Sequence, residues 1–423
     1  MKEVRVKTPA LSDGGWTGFL PGGVPLNREI RSTRKLSSGI IKDIATLFHP
    51  APNSLHNSFD LAKTIIKMAK DKSSAERQSK PSPDVILRRL HQIKKSTARK
   101  KLDELNQHLL HHLQLSKKPI IALDFTIRPY YGEENPTLVS DPRLPGTNLG
   151  IKFAVLSVVE RGKTFTLKVR QVNPLESETK ILEEMLNYTR RLVEPRLILL
   201  DRRFYSVKAI KLLKSRKQSF IMPAKRTGPV KRLCEQFKNR EIPPTVNYTV
   251  KSPSDGVLIK LTLVERETEK GVEIQLFIGD RELGPEKISE IYGWRWRIET
   301  NNREFEKFKA FTTSRSMKIR RLYFLLSMIP YNFWIITRGG SEYPRAYQFK
   351  KILKLTLKWI SAEIGNISRP PPTPRIFENS PVDCQPIIMP SLKSRPKNFS
   401  KEFETFDNPQ TTTTPPSKTR EKF

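Results

Sequence analysis

Short apolar runs alternate with amphipathic stretches through the middle of the chain. Runs in which alternate residues are apolar predict half-buried strands, and apolar residues at three- and four-residue spacing predict helices. Pro195 ends the longest of these helical stretches, because proline cannot continue a helix. The predicted elements are strands at 120–125, 150–159 and 164–172, a helix at 174–193, a strand at 196–201, a helix at 207–213 and a strand at 220–222.

This order of elements is that of a ribonuclease-H-like α/β fold. In such a fold the first and fourth strands of the series lie side by side. Residues at the ends of these two strands, Asp124 and Asp201, are therefore expected to meet at one end of the sheet. Proteins with the same fold can have different functions, so the function must be inferred from the side chains at this end of the sheet.

The flanking segments have other patterns. The segment 61–115 has helical spacing, and Ser82 followed by Pro83 predicts the start of a helix. Runs at 257–263 and 272–278 predict strands, and 317–338 predicts a buried helix. The predicted organisation begins with a basic N-terminal segment of unclear fold at 1–50 and a helical region at 51–118. The α/β core follows at 119–223 and 287–362, with a β-rich insertion at 224–286 before the helix that carries Glu299. The chain ends in a Pro-rich disordered tail at 363–423.

Composition narrows the class of partner. The net charge is +34 and the isoelectric point is near 10.2, which indicates a polyanionic partner such as nucleic acid or an anionic membrane surface. No apolar run is long enough to span a bilayer, and the N-terminus lacks a secretory pattern, so we expect a cytoplasmic location. Cys234 and Cys384 are far apart, which excludes a disulfide framework or a cysteine zinc site.

Three acids stand where a metal-binding carboxylate would be useful. Asp124 and Asp201 each end an apolar run, and Glu299 lies in a stretch, 292–299, that is predicted to be helical. Carboxylates at the ends of two neighbouring strands, joined by one on a helix, can converge on a pair of divalent ions. Such a pair supports the displacement of one oxygen by another at a phosphodiester. The pattern therefore predicts an enzyme that acts on DNA.

The histidines do not offer an obvious general base. All six of them precede Asp124, so a base near the three acids would require the N-terminal segment to fold over the site. His108 and His112 have the spacing of two metal ligands on a helix, but a polar helix face is the favoured interpretation of this pair.

Two stretches of the chain are basic without any acid. Residues 88–101 begin with Arg88 and Arg89, and residues 202–232 contain eleven lysines and arginines. A solvated surface normally mixes charges of both signs, so one-sided runs favour contact with a phosphate backbone. The DNA-binding candidates in these runs are Arg88, Arg89, Arg202, Arg203, Lys225 and Arg226.

These motifs resemble those of DDE transposases. The frames around Asp124 and Asp201 are similar to the first two acidic motifs, and Tyr292, Arg295 and Glu299 have the spacing of the Tyr-Arg-Glu-Lys signature of bacterial and archaeal insertion-sequence transposases. The resemblance covers about half of the chain, from 119 to 334. It departs at the signature lysine, where this chain has Glu306 followed by Lys307. Either Lys307 reaches round the helix, or the lysine contact is lost and Glu306 becomes an extra acid.

The residue types suggest a role for each side chain. Asp124 would bridge two Mg²⁺ or Mn²⁺ ions, while Asp201 and Glu299 would each complete one of them. Arg295 and Arg297 can bind phosphate oxygens through their planar guanidinium groups. Tyr292 and Trp294 could stack on a base, whereas core packing is favoured for at least one of Trp294 and Trp296.

The predicted function is a transposase that cuts double-stranded DNA at the ends of its own element and joins these ends to a target. The resemblance implies a homodimer that holds both ends together. Two alternatives remain at this stage: a nuclease on the same fold, and a DNA-binding protein without catalytic activity that derives from a transposase.

Overall fold

The computed structural model describes residues 26–50, 54–160, 163–269, 271–281, 283–339 and 344–367. The predicted tail from 368 onwards and residues 1–25 lie outside these ranges. The described part begins with helices, and Asn57 caps the second of them through a reciprocal capping box with Asp60. These helices are α1 (Leu26–Ala45), α2 (Ser58–Asp71), α3 (Pro83–Gln92) and α4 (Lys95–His111), with a 3₁₀ turn at Ala75–Arg77.

A mixed sheet forms the centre of the molecule. The strands are β1 (Ile120–Pro129), β2 (Val139–Ser140), β3 (Leu149–Glu160), β4 (Lys163–Gln171), β5 (Leu197–Leu200), β6 (Phe220–Pro223), β7 (Thr245–Ser252), β8 (Asp255–Thr268) and β9 (Gly271–Gly279). Their order in the sheet is β2-β3-β1-β5-β6-β9-β8-β7, and β4 also pairs with β3.

Helices follow and cover the strands. α5 begins after Ser177, whose hydroxyl accepts a hydrogen bond from the Lys180 amide, as an N-cap serine does. The remaining helices are α5 (Glu178–Arg190), α6 (Val207–Ser215), α7 (Gly228–Lys238), α8 (Pro285–Gly293), α9 (Trp296–Phe305), α10 (Met317–Arg338) and α11 (Ala346–Ile367). Among the described residues, none of the helices is long and apolar enough to cross a membrane.

The pairing of β1 with β5 positions the two aspartates. These strands are parallel, and Leu123 pairs with Leu200. Asp124 and Asp201 are the next residues of each chain segment, so they lie beside each other at the carboxyl ends of neighbouring strands, as the order of elements predicts. Successive side chains of a strand point to opposite faces of the sheet.

The alternation in β1 and β5 also decides which face the acids share. Ile120 and Ala122 of β1 pack in one core cluster with Leu197 and Leu199 of β5, and this cluster includes Ile291 of α8. The intervening residues of both strands belong to the core on the other face. By the same alternation Asp124 faces the side that α8 and α9 cover, and Asp201, directly after β5, continues the same register.

Several elements differ from the sequence prediction. The predicted insertion at 224–286 also contains α7 and β7, and β9 pairs with β6, so its strands extend the central sheet. The helix predicted across 292–299 is two helices, α8 and α9, separated at Trp294 and Arg295. α11 continues to Ile367, past the predicted start of the tail at 363. All described residues lie within one compact unit.

Candidate active site

Asp124 is a buried carboxylate at the centre of the candidate site. Its side chain accepts a hydrogen bond from the Phe125 amide at 2.9 Å, and the residue is 6% exposed. Burial raises the pKa of Asp124 to about 6, although Arg295 opposes this rise. The nearby carboxylates of Asp201 and Glu299 also raise the pKa of Asp124, because each of them disfavours a second negative charge.

Asp201 lies at the end of β5 and is more accessible. Its Oδ1 accepts a hydrogen bond from the Arg202 amide at 2.6 Å, and its Oδ2 lies 4.0 Å from Nε of Arg203. The residue caps the short 3₁₀ turn at Arg202–Phe204. Asp201 thus caps a local turn and contacts a neighbouring arginine, and its side chain is 28% exposed.

Tyr292 connects α8 to the sheet. Its hydroxyl donates a hydrogen bond to the Leu200 carbonyl at 3.1 Å, directly before Asp201, and its ring packs against Phe277. Burial raises the pKa of Tyr292 well above its usual range. The residue is 8% exposed, so the prediction that its ring stacks on a base does not fit this conformation.

The chain tightens between α8 and α9. The amides of Trp294 and Arg295 bond to the carbonyls of Ile291 and Tyr292 at 3.0 and 2.9 Å, which is the three-residue spacing of a 3₁₀ turn. Both residues keep right-handed helical dihedral angles, so the axis is interrupted without a loop. This turn directs Arg295 inward.

Arg295 lies between two of the acids. One terminal guanidinium nitrogen is 3.3 Å from Oδ2 of Asp124, and the other is 3.1 Å from Oε1 of Glu299. Burial opposes the charge of this guanidinium, but Tyr292 and Asp124 raise its pKa, and the net shift is upward. The sequence predicts a phosphate ligand at Arg295, whereas here its charge neutralises carboxylates.

The three acids offer the oxygen ligands that Mg²⁺ and Mn²⁺ prefer. Within the described ranges, however, His, Cys, Asp and Glu side chains do not form a group of three placed to hold a metal ion. Asp124 and Glu299 are instead brought together by the cationic Arg295. The chemistry of the donors fits a divalent ion, and Arg295 contacts one carboxylate oxygen of Asp124 and one of Glu299.

A basic cavity of about 760 Å³ opens beside Asp201. Arg202, Arg203 and Arg226 of the predicted DNA-binding set line it. Trp296 also lines it and is 59% exposed, which contrasts with the half-buried Trp294 and is a feature that the sequence prediction missed.

The other predicted DNA-binding residues lie elsewhere. Lys225 lies over the ring of Tyr205 at 5.8 Å. Arg88 is exposed on α3, and Arg89 of the same helix donates to Gln92 at 3.0 Å. Arg297 donates to the Glu160 carbonyl, and Lys307 pairs with Glu304 at 2.7 Å. Arg297 and Lys307 line a different cavity from the one beside Asp201.

Glu306, at the position of the signature lysine, is an ion-pair partner. It lies 3.4 Å from Arg128 of β1 and 2.6 Å from Lys309. The guanidinium of Arg128 also lies 4.8 Å from the ring centroid of Phe324 in α10. These contacts give Glu306 a structural role between the strand and the helices. His108 is within hydrogen-bond distance of Asp43, at 3.1 Å between Nδ1 and Oδ2, as expected for a polar helix face.

Residues 155–333 match the protein family described as "Transposase DDE domain". The match includes Asp201 and Glu299 and begins after Asp124. This part of the chain is similar to a transposase DDE domain, which confirms the resemblance drawn from the acidic motifs. No curated protein matches the chain.

Solved structures extend the comparison beyond the matched segment. The structure titled "Cryo-EM structure of piggyBac transposase synaptic complex with hairpin DNA" has a TM-score of 0.51 at 12% identity, over 82% of this chain and 87% of that one. This similarity shows a shared fold and confirms the predicted ribonuclease-H-like class. The "Crystal structure of the Mos1 Strand Transfer Complex" has a TM-score of 0.18 at 10% identity, over 73% and 80% of the two chains.

Proposed function

We propose that this protein is a DDE transposase that cleaves DNA at the ends of its own element and joins the freed 3′-hydroxyls to target DNA. One observation carries the proposal. Asp124 and Asp201 lie side by side at the carboxyl ends of β1 and β5, and Arg295 links Asp124 to Glu299 of α9. The transposase DDE domain supports the same activity.

The carboxylates of Asp124, Asp201 and Glu299 would hold two Mg²⁺ or Mn²⁺ ions. The ions, when bound, would activate the attacking oxygen and stabilise the leaving oxygen of the phosphodiester. The burial of Asp124 matters here, because a carboxylate with a pKa of about 6 has a strong preference for a neutralising cation. In the absence of a metal ion, Arg295 provides this positive charge.

Arg295 has a second role in the proposal. If the Arg295 guanidinium releases Asp124 or Glu299, it can bind a phosphate of the DNA instead. Carboxylates and phosphates both offer two oxygens to a planar guanidinium, so either group can bind it. The accessible Trp296, at the wall of the cavity that Arg202, Arg203 and Arg226 line, would contact bases or sugars of the same DNA. Arg295 thereby couples metal binding to DNA binding.

The charge of the chain and the proposed reaction indicate the partners of this protein. A net charge of +34 favours double-stranded DNA, through counterions released from the phosphates. Two element ends must be held together before joining, which we propose a homodimer does. We further propose that the protein acts at the nucleoid in the cytoplasm of a prokaryotic cell, where DNA substrates of this kind are found.

The test uses DNA that carries the inverted repeats flanking the coding sequence, together with a target plasmid. Wild-type protein is expected to cut at the repeat ends in Mg²⁺ or Mn²⁺ and to join them to the plasmid. A nuclease would cut without joining and without a need for the repeats. A DNA-binding protein without activity would bind these DNAs and leave them intact in every metal.

A further inference from the structure

A second basic cavity lies behind the catalytic helix. Its volume is about 640 Å³, and Arg297, Thr300, Glu304 and Lys307 form one wall. The first three recur at three- and four-residue spacing along α9, so they share one face. Glu299 is two positions from Arg297, roughly 200° around an ideal helix. The cavity therefore lies on a different side of α9 from the three acids.

The opposite wall is aromatic. Tyr331 and Trp334 of α10 are buried, and their polar atoms are already bonded: the Tyr331 hydroxyl donates to Thr164 at 2.9 Å, and the Trp334 indole donates to Pro344 at 2.7 Å. Tyr347, in the first turn of α11, is 57% exposed. The ammonium of Lys351 lies 5.9 Å from the centroid of this ring, and the exposure of the ring lets another planar group reach it.

The lining is strongly basic. It contains six cations, Lys72, Arg297, Lys307, Arg338, Arg345 and Lys350, and one acid, Glu304. Burial lowers the pKa of Lys350, and the neighbouring charges of Lys72 and Lys70 lower it further. Like charges gathered in this way repel one another, and a bound anion would relieve the repulsion.

Phosphate groups would complement the cations of this cavity, and planar bases would complement its aromatic side chains. Basic grooves that carry aromatic side chains are typical of sites for single-stranded nucleic acid, where the cations follow the backbone and the rings stack on bases. The volume lies within the range of about 300–1,000 Å³ that is usual for small-ligand pockets. A short stretch of one strand suits this cavity better than a duplex does.

We propose that this cavity binds an unpaired segment of a DNA strand, with Lys72 and Lys350 at its phosphates and Tyr347 stacked on a base. The inference rests on the proposed function only in that DNA is the substrate. A strand held in this cavity would lie near the proposed site of cutting, because Glu299 and one wall of the cavity belong to the same helix.

The test measures the binding of a short fluorescein-labelled single strand and of a matching duplex by the full-length protein in EDTA. The variant Lys72→Gln/Lys350→Gln is compared with Lys238→Gln/Lys287→Gln, which removes the same charge from exposed lysines elsewhere. We expect the first variant to bind the single strand about tenfold more weakly than the control does. The slope of log K against log salt should fall by about 1.4, for two lost phosphate contacts.

Tyr347→Ala should weaken single-strand binding about tenfold and leave duplex binding nearly unchanged, while Tyr347→Phe, which keeps the ring, should bind as the wild type does. Equal affinities and salt slopes for the two lysine variants, or an equal loss for duplex and single strand, would overturn the inference. Because binding in EDTA requires no cleavage, a failure of the proposed transposase activity would leave these measurements unaffected and separately interpretable.

Discussion

Arg295 and Asp124 form a buried ion pair, with one guanidinium nitrogen 3.3 Å from Oδ2 of the carboxylate. The side chains are 10% and 9% exposed. The same guanidinium reaches Glu299 at 3.1 Å, so a single cation neutralises acids from β1 and from α9. The arginine therefore holds these two carboxylates together without a metal ion.

Removal of this arginine should destabilise the fold. Arg295→Gln leaves the Asp124 carboxylate buried without its cation, and we expect the free energy of unfolding to fall by about 3 kcal/mol at neutral pH. The matched control is Arg203→Gln, since that side chain is 46% exposed and 4.0 Å from Asp201. The control should change stability by less than about 0.5 kcal/mol. Urea denaturation of both variants measures the difference, and equal effects would contradict the role given to Arg295.

Because the pKa of Asp124 is raised, we expect the stability of the folded protein to depend on pH. The folded protein retains this proton to about pH 6, whereas the unfolded chain releases it near 3.8. The protonated form thus favours the folded state, and that contribution is lost as the pH rises from about 4 to about 6. The shift corresponds to about 3 kcal/mol as an upper limit.

Asp124→Asn removes this titration. In EDTA, the variant should be more stable than the wild type at pH 7 and equally stable below about pH 4. Unfolding midpoints measured across this range test the sign. A variant that is less stable than the wild type at pH 7, with no change in the difference between pH 4 and 6, would show that burial does not dominate at Asp124.

The hydrogen bond from Tyr292 to the Leu200 carbonyl predicts a contrast between two tyrosines. Tyr292→Phe leaves the carbonyl before Asp201 without this donor and should cost about 1 kcal/mol. Tyr323 is also buried, but its hydroxyl has no hydrogen-bond partner among the residues that the structure describes. Tyr323→Phe should therefore be neutral or stabilising. Thermal unfolding of the two variants decides, and a larger loss for Tyr323→Phe would refute the assignment.

Glu306 provides a test of the departure from the signature. Glu306→Gln breaks the ion pairs with Arg128 and Lys309 and should lower stability by about 2 kcal/mol, because Arg128 is largely buried. Per folded molecule, DNA nicking should be unchanged. Glu235→Gln, at an exposed pair with Lys238, is the control for stability. Loss of nicking by a folded Glu306→Gln protein would instead make this residue a fourth acid of the site.

Local patterns were sufficient to predict the main elements of the core. The alternation at 150–172 predicts the β3–β4 hairpin, and α10 spans residues that the helical pattern at 317–338 indicates. The adjacency of Asp124 and Asp201 follows from the element order, because parallel neighbours in this fold have their carboxyl ends together.

Features that depend on distant partners could not be predicted in this way. Glu306 is paired with Arg128, far away in the sequence, and nothing within α9 indicates this partner. The strands at 245–279 read as a separate insertion, whereas the pairing of β9 with β6 places them in the main sheet. The break before Trp296 is equally hidden, since Trp294 and Arg295 keep helical dihedral angles.

The central claim is that Asp124, Asp201 and Glu299 form one metal-dependent site for phosphoryl transfer. The most direct measurement is Mg²⁺- or Mn²⁺-dependent nicking of DNA that carries the element ends, by wild type and by Asp201→Asn. Asp255→Asn, at an exposed ion pair with Lys211, is the matched control. The account predicts nicks with 3′-hydroxyl ends from wild type and control in either metal, and none from Asp201→Asn. Equal, metal-independent behaviour of all three proteins, with DNA binding retained, would contradict it.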